Sequence, residues 1–177
     1  MFTIGLIKVI MKTKYPIEHF VDTLEDESTI PRKIADGIRK TVEDFAGRID
    51  NLDEAKASQK PQPDKWSHKE ILGHLIDSAA NNHQRFVRAQ YLKTVNLPSY
   101  EQKEWVNIQQ YGSSTWKELL VLWRSYNFHL AHILDHMPAE CLQISCAIGS
   151  NEPLTIGYVI VDYLGHLQHH LRQIEQM

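Results

Sequence analysis

Four long segments of this chain repeat apolar residues at intervals of three and four, the spacing that places them on one face of an α-helix. The pattern predicts helices over residues 31 to about 52, 67 to about 93, 116 to about 136, and 155 nearly to the end of the chain. No internal repeat and no alternation of strands with helices interrupts this order. A chain of 177 residues with four such helices is predicted to form an all-α four-helix bundle.

Capping signals mark where the predicted helices begin. Ser67 and Glu70 have the spacing of a capping box, in which each side chain binds the other residue's backbone N–H. Thr115 and Glu118 repeat this spacing before the third helix, and Thr155 suits the N-cap position of the fourth. Residues 53–65 and 94–112 are predicted to be connecting segments, because they are polar or irregular and contain proline. Residues 137–153 contain two short apolar runs that can pair as a small hairpin before the last helix.

The composition favours small molecules or other protein chains as partners. The 19 Lys and Arg residues are nearly balanced by 22 Asp and Glu, so nothing indicates a surface for nucleic acid or an anionic membrane. No apolar run approaches the ~18 residues of a membrane-spanning helix. Cys141 and Cys146 lack zinc-finger spacing and are expected to be idle thiols in a reducing cytosol, which predicts a cytoplasmic protein.

The first residues do not read as a secretory signal, because the opening apolar run is short, lacks a basic start and contains Lys8. Met11 is followed by Lys12, Thr13 and Lys14, which resemble an ordinary cytosolic start. We therefore expect the first ten residues to be an upstream extension. The chain is divided on this basis into an N-terminal extension, 1–14, and a single domain, 15–177.

A histidine pair in the last predicted helix is a candidate half of a metal site. His166 and His170 are four residues apart, and side chains at that spacing lie about 5–6 Å apart on one helix face. Two imidazole nitrogens at this separation can bind one divalent metal at roughly 2.0–2.1 Å. Two ligands rarely suffice, so a third must come from another element.

Two other groups of polar residues are further candidates for a functional site. One is a stripe along the second predicted helix, which is either solvated surface or one wall of a site and consists of His74, Ser78, Asn81 and Arg85. The other lies on the third predicted helix and comprises His129, His132 and His136. On a helical wheel these three histidines point away from the apolar face, so they are predicted to face water.

Motifs along most of the chain resemble the DinB-like superfamily and in particular its YfiT-like branch. The residues that carry the resemblance are Tyr15-Pro16-Ile17, Trp66, His74-Leu75-Ile76-Asp77-Ser78, Asn81, Arg85-Phe86, Pro98, Tyr100, Trp105 and the closing HLQHH sequence. Each motif is weak alone, but their order and separations together are fairly specific.

The resemblance implies a four-helix bundle of unusual connectivity with a metal held by His74, His166 and His170. His83 and His169 do not match ligand positions. We interpret His83 as a residue at the edge of the core, and His169 as a residue that either supports a ligand or lies on the surface. Members of this branch are described as metal-dependent hydrolases, and relatives transfer thiols such as bacillithiol, mycothiol or glutathione-like cofactors. Dimers are common among them, so a homodimer is expected here.

Three neutral imidazoles leave Ni²⁺, Zn²⁺ or Fe²⁺ with open positions that can take water or a thiol. Asp77 and Asp162 lie near ligands along their helices, where each could act as a base or orient an imidazole. Arg85, with Ser78 and Asn81 on the same stripe, could bind the anionic groups of a low-molecular-weight thiol. The residues favour a metal-dependent thiol S-transferase acting on a small molecule. A metal-dependent hydrolase and a non-catalytic metal-binding bundle are the alternatives.

Overall fold

The helical periodicity of the sequence corresponds to real helices in the structure, a computed structural model that describes residues 13–15, 17 and 26–177. Four long helices confirm the predicted bundle, namely α1 (Ile30–Ile49), α3 (His68–Arg88), α5 (Trp116–Asp135) and α6 (Ile156–Glu175). Two shorter helices are α2 (Glu54–Ser58) and α4 (Gln102–Gln109). The strands are β1 (Thr94–Leu97), β2 (Ser145–Ile148) and β3 (Leu154–Thr155).

The predicted caps begin the helices that carry the site. The Ser67 hydroxyl accepts from the Glu70 backbone N–H at 3.3 Å, and the Glu70 carboxylate accepts from the Ser67 N–H at 2.8 Å. The same reciprocal pair precedes α5. Thr155 caps α6 by accepting from the backbone N–H of Tyr158 at 3.1 Å. Because such bonds satisfy otherwise unpaired N–H groups, the start of each helix is fixed locally.

The packing of the long helices sets the position of the site. Helices α1 and α3 each pack against both α5 and α6. The apolar faces meet around fully buried side chains such as Phe45, Leu72, Trp123 and Leu164. One edge of α3 therefore lies beside one edge of α6, and polar residues on those edges face each other.

Some predicted boundaries were wrong. Helix α3 ends at Arg88 and not near residue 93, because Tyr91 and Leu92 are exposed and give further turns no core to cover. Helix α1 ends at Ile49 and not at residue 52. The predicted connecting segments contain α2, capped by the Asp53 carboxylate, and α4, in which only Val106 is buried. Helices so short and polar leave little periodic signal.

The predicted small hairpin is confirmed and belongs to a three-stranded sheet. Strands β2 and β3 pair antiparallel, with Cys146 opposite Leu154. Strand β1 pairs parallel to β2, with Val95 opposite Cys146, and was not predicted. The sheet lies before α6 in the chain and contributes Ile148 and Leu154 to the cavity beside the site.

The predicted N-terminal extension falls mostly on residues 1–12, which lie outside the described residues. Thr13, Lys14, Tyr15 and Ile17 are described, and Ile17 is buried in the core. In the described part of the chain, no helix has both the length and the hydropathy needed to cross a membrane.

Candidate metal centre

Three histidines from two helices converge at the edge where α3 meets α6. His74 lies on α3, and His166 and His170 lie one turn apart on α6. One ligand atom from each lies within 4.8 Å of the others, and the Nε2 atoms of His74 and His166 are 3.2 Å apart. His74 is only 1% exposed, whereas His166 and His170 are half-buried. Among the described residues, no other three potential ligands of this kind come together.

Two hydrogen bonds orient the histidines of α6. The second ring nitrogen of His166, Nδ1, lies 3.4 Å from the hydroxyl of Ser78 on α3. Nδ1 of His170 lies 3.0 Å from the side-chain oxygen of Gln173. With Nδ1–H donating to these oxygens, each ring keeps an unprotonated Nε2. Ser78 therefore helps to fix the tautomer that metal binding requires.

Burial keeps the three imidazoles neutral. It is the main cause that lowers the pKa of His74 to about 4, with His170 as the smaller cause. Burial and the neighbouring histidines lower the pKa of His166 to about 2. Burial also lowers the pKa of His170, although its bond to Gln173 acts in the opposite direction. Neutral imidazole is the form that binds a metal, so the cluster does not require protons to be removed near pH 7.

The arrangement fits a divalent cation. Nε2 of His74 and Nε2 of His166 lie 3.2 Å apart, so a proton or a cation must lie between them, and both α6 rings are hydrogen-bonded as a ligand tautomer would be. Three imidazoles are also fewer ligands than a closed structural site uses. The residues could therefore hold a metal that keeps open positions.

A cavity of about 260 Å³ adjoins the cluster on the His166 side. Its wall is mostly polar and includes Ser78, Asn82, Arg85, Ser99, Tyr100, Gln102, Tyr158 and Asp162. Lys14 and Tyr15 complete the wall from outside the bundle. A small ligand in this cavity would lie next to His166.

Arg85 is the buried cation of the cavity. The residue is 9% exposed, and one guanidinium nitrogen donates to the side-chain oxygen of Asn82 at 3.0 Å. Its Nε has no hydrogen-bond partner, and no ion pair joins it to a carboxylate within the described residues. Burial lowers the pKa of Arg85, and Cys146, Tyr100 and Asp162 partly offset this. A buried guanidinium with a free donor is suited to an anionic ligand.

The two predicted carboxylates have different surroundings. Asp77 accepts from the Tyr111 hydroxyl at 2.6 Å and the Gln109 amide at 2.5 Å, so it connects α3 to the segment after it. Asp162 lies in the cavity wall, close to the backbone N–H groups of Lys14 and Tyr15. Burial raises the pKa of both carboxyl groups. Oδ1 of Asp162 and Oδ2 of Asp77 are buried without a partner among the described residues.

The remaining residues predicted for the site, and their neighbours, differ in whether they line the cavity. Asn82, which sequence reasoning missed, lines the cavity, while Asn81 donates to the backbone of Asp77 at 2.9 Å. His169 is exposed beside Tyr15 and His170, and His83 is half-buried against Tyr126. Sequence reasoning also missed Lys14 and Tyr158, which line the cavity. The Tyr15-Pro16-Ile17 motif was the one sequence signal for the N-terminal wall.

The rival histidines face solvent, as predicted. His129, His132 and His136 are all exposed on α5 or at its end. Neighbouring rings lie 6.5 Å and 4.5 Å apart between centroids, and His83 on α3 lies 5.2 Å from the ring of His129. Among the described residues, no three ligand atoms of this group converge as they do at the buried cluster.

Comparisons with known proteins agree with this geometry. The model of the DinB superfamily matches residues 38–174. A protein of Halalkalibacterium halodurans, named as a candidate metal-dependent hydrolase, is 25% identical over 126 residues, which cover 71% of this chain and 73% of the relative. The solved structure of YfiT from Bacillus subtilis matches with a TM-score of 0.72 at 16% identity, over 82% of this chain and 84% of the other. YfiT is described as a candidate metal-dependent hydrolase with an unusual four-helix bundle topology. The predicted resemblance is confirmed by these matches.

Proposed function

Because the chain belongs to the DinB superfamily, we propose that it is a metal-dependent enzyme that transfers a small thiol to an electrophile. His74, His166 and His170 would hold one divalent cation, with Ni²⁺, Zn²⁺ and Fe²⁺ as the candidates. Such a cation supplies Lewis-acid chemistry, since it lowers the pKa of a thiol or water molecule at an open position.

The observation that carries the choice of a thiol substrate is the buried Arg85 beside the cluster. A hydrolase needs a water molecule and a base, but it does not need a buried guanidinium with a free donor. Low-molecular-weight thiols commonly carry carboxylates, which the guanidinium could bind while the sulfur lies near the three histidines. Asn82 holds one edge of the guanidinium at 3.0 Å and leaves Nε available.

Two side chains, Ser78 and Asp162, would have separate roles in the reaction. Ser78 keeps Nε2 of His166 unprotonated, which preserves the ligand set. Oδ1 of Asp162 lies buried without a partner among the described residues, and burial raises the pKa of this carboxyl group. This carboxylate would accept the thiol proton when the S–H bond breaks and the sulfur bonds to the electrophile, and would then release it to solvent. The leaving group or the acceptor carbon of the electrophile then takes a proton from solvent.

A hydrolase is the second candidate, supported by the names of the relatives and by the same Asp162, which could instead accept a proton from water. The deciding experiment measures metal-loaded protein with a carboxylate-bearing thiol plus an electrophile, and separately with esters and amides without thiol. We expect thiol-dependent turnover that Arg85→Gln reduces at least tenfold while metal content is retained. Arg88→Gln is the matched control, because Arg88 lies on the same helix and its side chain donates to Gln84 at the surface.

Thiol-independent hydrolysis that is unaffected by Arg85→Gln would support the hydrolase and contradict the transferase. Metal binding without either activity would leave a metal-binding bundle.

We also propose a cytoplasmic homodimer, since Ile108, Val121 and Leu122 are exposed apolar side chains that a second copy could cover. Light scattering at micromolar concentration tests self-association, and a monomeric mass would contradict it.

A further inference from the structure

A short N-terminal segment lies beside the histidine cluster and has no part in the function proposed above. We call Thr13–Tyr15 the strap. The Tyr15 ring lies edge-on to His166, with 5.2 Å between centroids, and 5.0 Å from the ring of His169. Lys14 and Tyr15 both line the cavity beside His166. The strap therefore forms the outer wall of the space that a ligand would enter.

Gly165 allows the backbone of the strap to contact α6 closely, and we call this contact the seat of the strap. A Cβ atom at this position would overlap the carbonyl oxygen of Tyr15 and lie 3.0 Å from the Tyr15 Cβ. Only glycine allows the strap backbone to approach the helix this closely. Glycine is otherwise unfavourable in a helix interior, so its position next to His166 has a structural reason.

Asp162 lies beside the strap, on the turn of α6 that precedes Gly165 and His166. The backbone N–H groups of Lys14 and Tyr15 are near enough to its carboxylate to act against the rise in its pKa. Ile17, just beyond the strap, is 5% exposed and packs into the core. The segment is thus held by backbone contacts on one side and by a buried side chain on the other.

The strap also changes the charge of the cavity. The charged side chains in its wall are Lys14, Arg85 and Asp162, two cations against one carboxylate. The Lys14 ammonium lies 5.2 Å from the centre of the Tyr15 ring, a contact that keeps it close to the cavity rim. Without the strap, one cation and one carboxylate would remain. The excess of positive charge therefore depends on the seat at Gly165.

We infer that the strap is a specificity element of the site, in which Lys14 acts with Arg85 to select a ligand that carries a carboxylate or similar anionic group. The ligand half of this inference rests on the proposed function. The seating of the strap does not, because it follows from the close contact at Gly165 and the buried side chain of Ile17.

The first experiment measures amide hydrogen exchange at Lys14 and Tyr15 in the full chain. Wild-type protein should protect both amides, and Gly165→Ala should remove that protection. Gly47→Ala is the matched control, because Gly47 also lies in a long helix but an added Cβ would meet nothing within 4 Å. Equal protection in Gly165→Ala and wild type, or no protection in wild type, would overturn the seat.

The second experiment measures selectivity with Co²⁺-loaded protein, whose visible spectrum reports thiol binding. We expect 3-mercaptopropionate to bind about tenfold more tightly than the uncharged 2-mercaptoethanol in wild type. Lys14→Met and Gly165→Ala should each reduce this ratio severalfold, with the cobalt content unchanged. Lys117→Met, which removes an exposed lysine on α5, should leave the ratio as in wild type.

These readouts separate the two proposals. If wild type binds neither thiol but protects the strap amides, the thiol-transfer function and the anion selectivity both fall and the seat stands. If both thiols bind with the same affinity, or if Lys14→Met keeps the wild-type ratio, the selectivity role of the strap is overturned while thiol binding survives. Lys14 is exposed, so its substitution keeps the test valid even if Gly165→Ala folds poorly.

Discussion

Two groups of three histidines occur in this molecule, and only one resembles a metal site. His129, His132 and His136 lie along a single helix, α5, and all are exposed. His136 bonds its own helix, with Nδ1 2.9 Å from the backbone oxygen of His132. The other group joins two α6 histidines, four residues apart, to a histidine of α3 that is 1% exposed.

The difference shows what histidine spacing alone cannot supply. One straight helix directs residues at i and i+4 to the same side, so it offers two ligands to one ion, while the next residue on that side lies a further turn, ~5.4 Å, along the axis. A second helix must bring the third. Burial then excludes competing water and keeps the imidazoles neutral, as the lowered pKa values of His74 and His166 indicate. The exposed group has the spacing, and one histidine of a second helix, His83 on α3, lies 5.2 Å from the ring of His129 between centroids. It lacks the burial, and in the described part of the chain its ligand atoms do not converge as three.

The largest effect is expected from removing a ligand of the buried group. His74→Ala should weaken metal binding more than about 100-fold, since substitution of a mere orienting partner commonly costs 10–100-fold. His132→Ala should leave the affinity unchanged. Competition with a chromophoric chelator measures both. Similar losses in the two variants would remove the distinction between the groups.

A smaller effect is expected from the residue that orients His166. Ser78→Ala removes the acceptor 3.4 Å from Nδ1 and should weaken metal binding roughly 10–100-fold. Ser78→Thr keeps a hydroxyl and should recover most of the affinity. Ser125→Ala, at an exposed position on α5, is the control. An unchanged affinity in Ser78→Ala would show that the contact does not set the tautomer.

Acid should destabilise the metal-free protein through the buried group. An unfolded histidine has a pKa near 6.5, whereas burial lowers the folded pKa of His166 to about 2. As pH falls below about 6.5, the His166 imidazole binds a proton in the unfolded state but stays neutral in the folded state. The free energy of unfolding therefore decreases. Between pH 7 and pH 5 it should fall by on the order of 1 kcal/mol more in wild type than in His166→Ala.

Urea unfolding at several pH values measures this difference. Asp77 and Asp162 titrate in both proteins and act in the opposite sense, because burial raises their pKa values. Their contribution cancels in the comparison. A parallel pH dependence of wild type and His166→Ala would show that His166 is not buried as described.

The smallest effect is expected in the exposed group. His132→Ala and His136→Ala should each change the free energy of unfolding by less than about 0.5 kcal/mol, as surface substitutions usually do. Thermal unfolding of the metal-free proteins provides the measurement. A loss above about 1 kcal/mol in either variant would indicate contacts that the exposed positions do not suggest.

Strong local signals explain how much of the fold could be predicted. Capping boxes and apolar periodicity located α1, α3, α5 and α6, because those signals depend on residues a few positions apart. Helices α2 and α4 are short and polar, and β1 pairs with a strand far along the chain. Their formation depends on tertiary contacts, so the sequence pattern could not reveal them.

The candidate site divides in the same way. The pairing of His166 with His170 follows from helical spacing, whereas the addition of His74 depended on a family resemblance, because the packing of α3 on α6 is tertiary. Asn82 and not Asn81 lines the cavity, a difference of one position that depends on the rotation of α3. The contribution of Lys14 required the close approach of the strap at Gly165, which no local pattern encodes.

Elemental analysis of tag-free protein, after incubation with Ni²⁺, Zn²⁺ or Fe²⁺ and removal of loosely bound ions, tests the central claim most directly. The buried group predicts close to one metal ion per chain in wild type and in His132→Ala, and almost none in His170→Ala. A wild type that stays metal-free, or a His170→Ala variant that keeps its metal while His132→Ala loses it, would contradict the assignment of the site to α3 and α6.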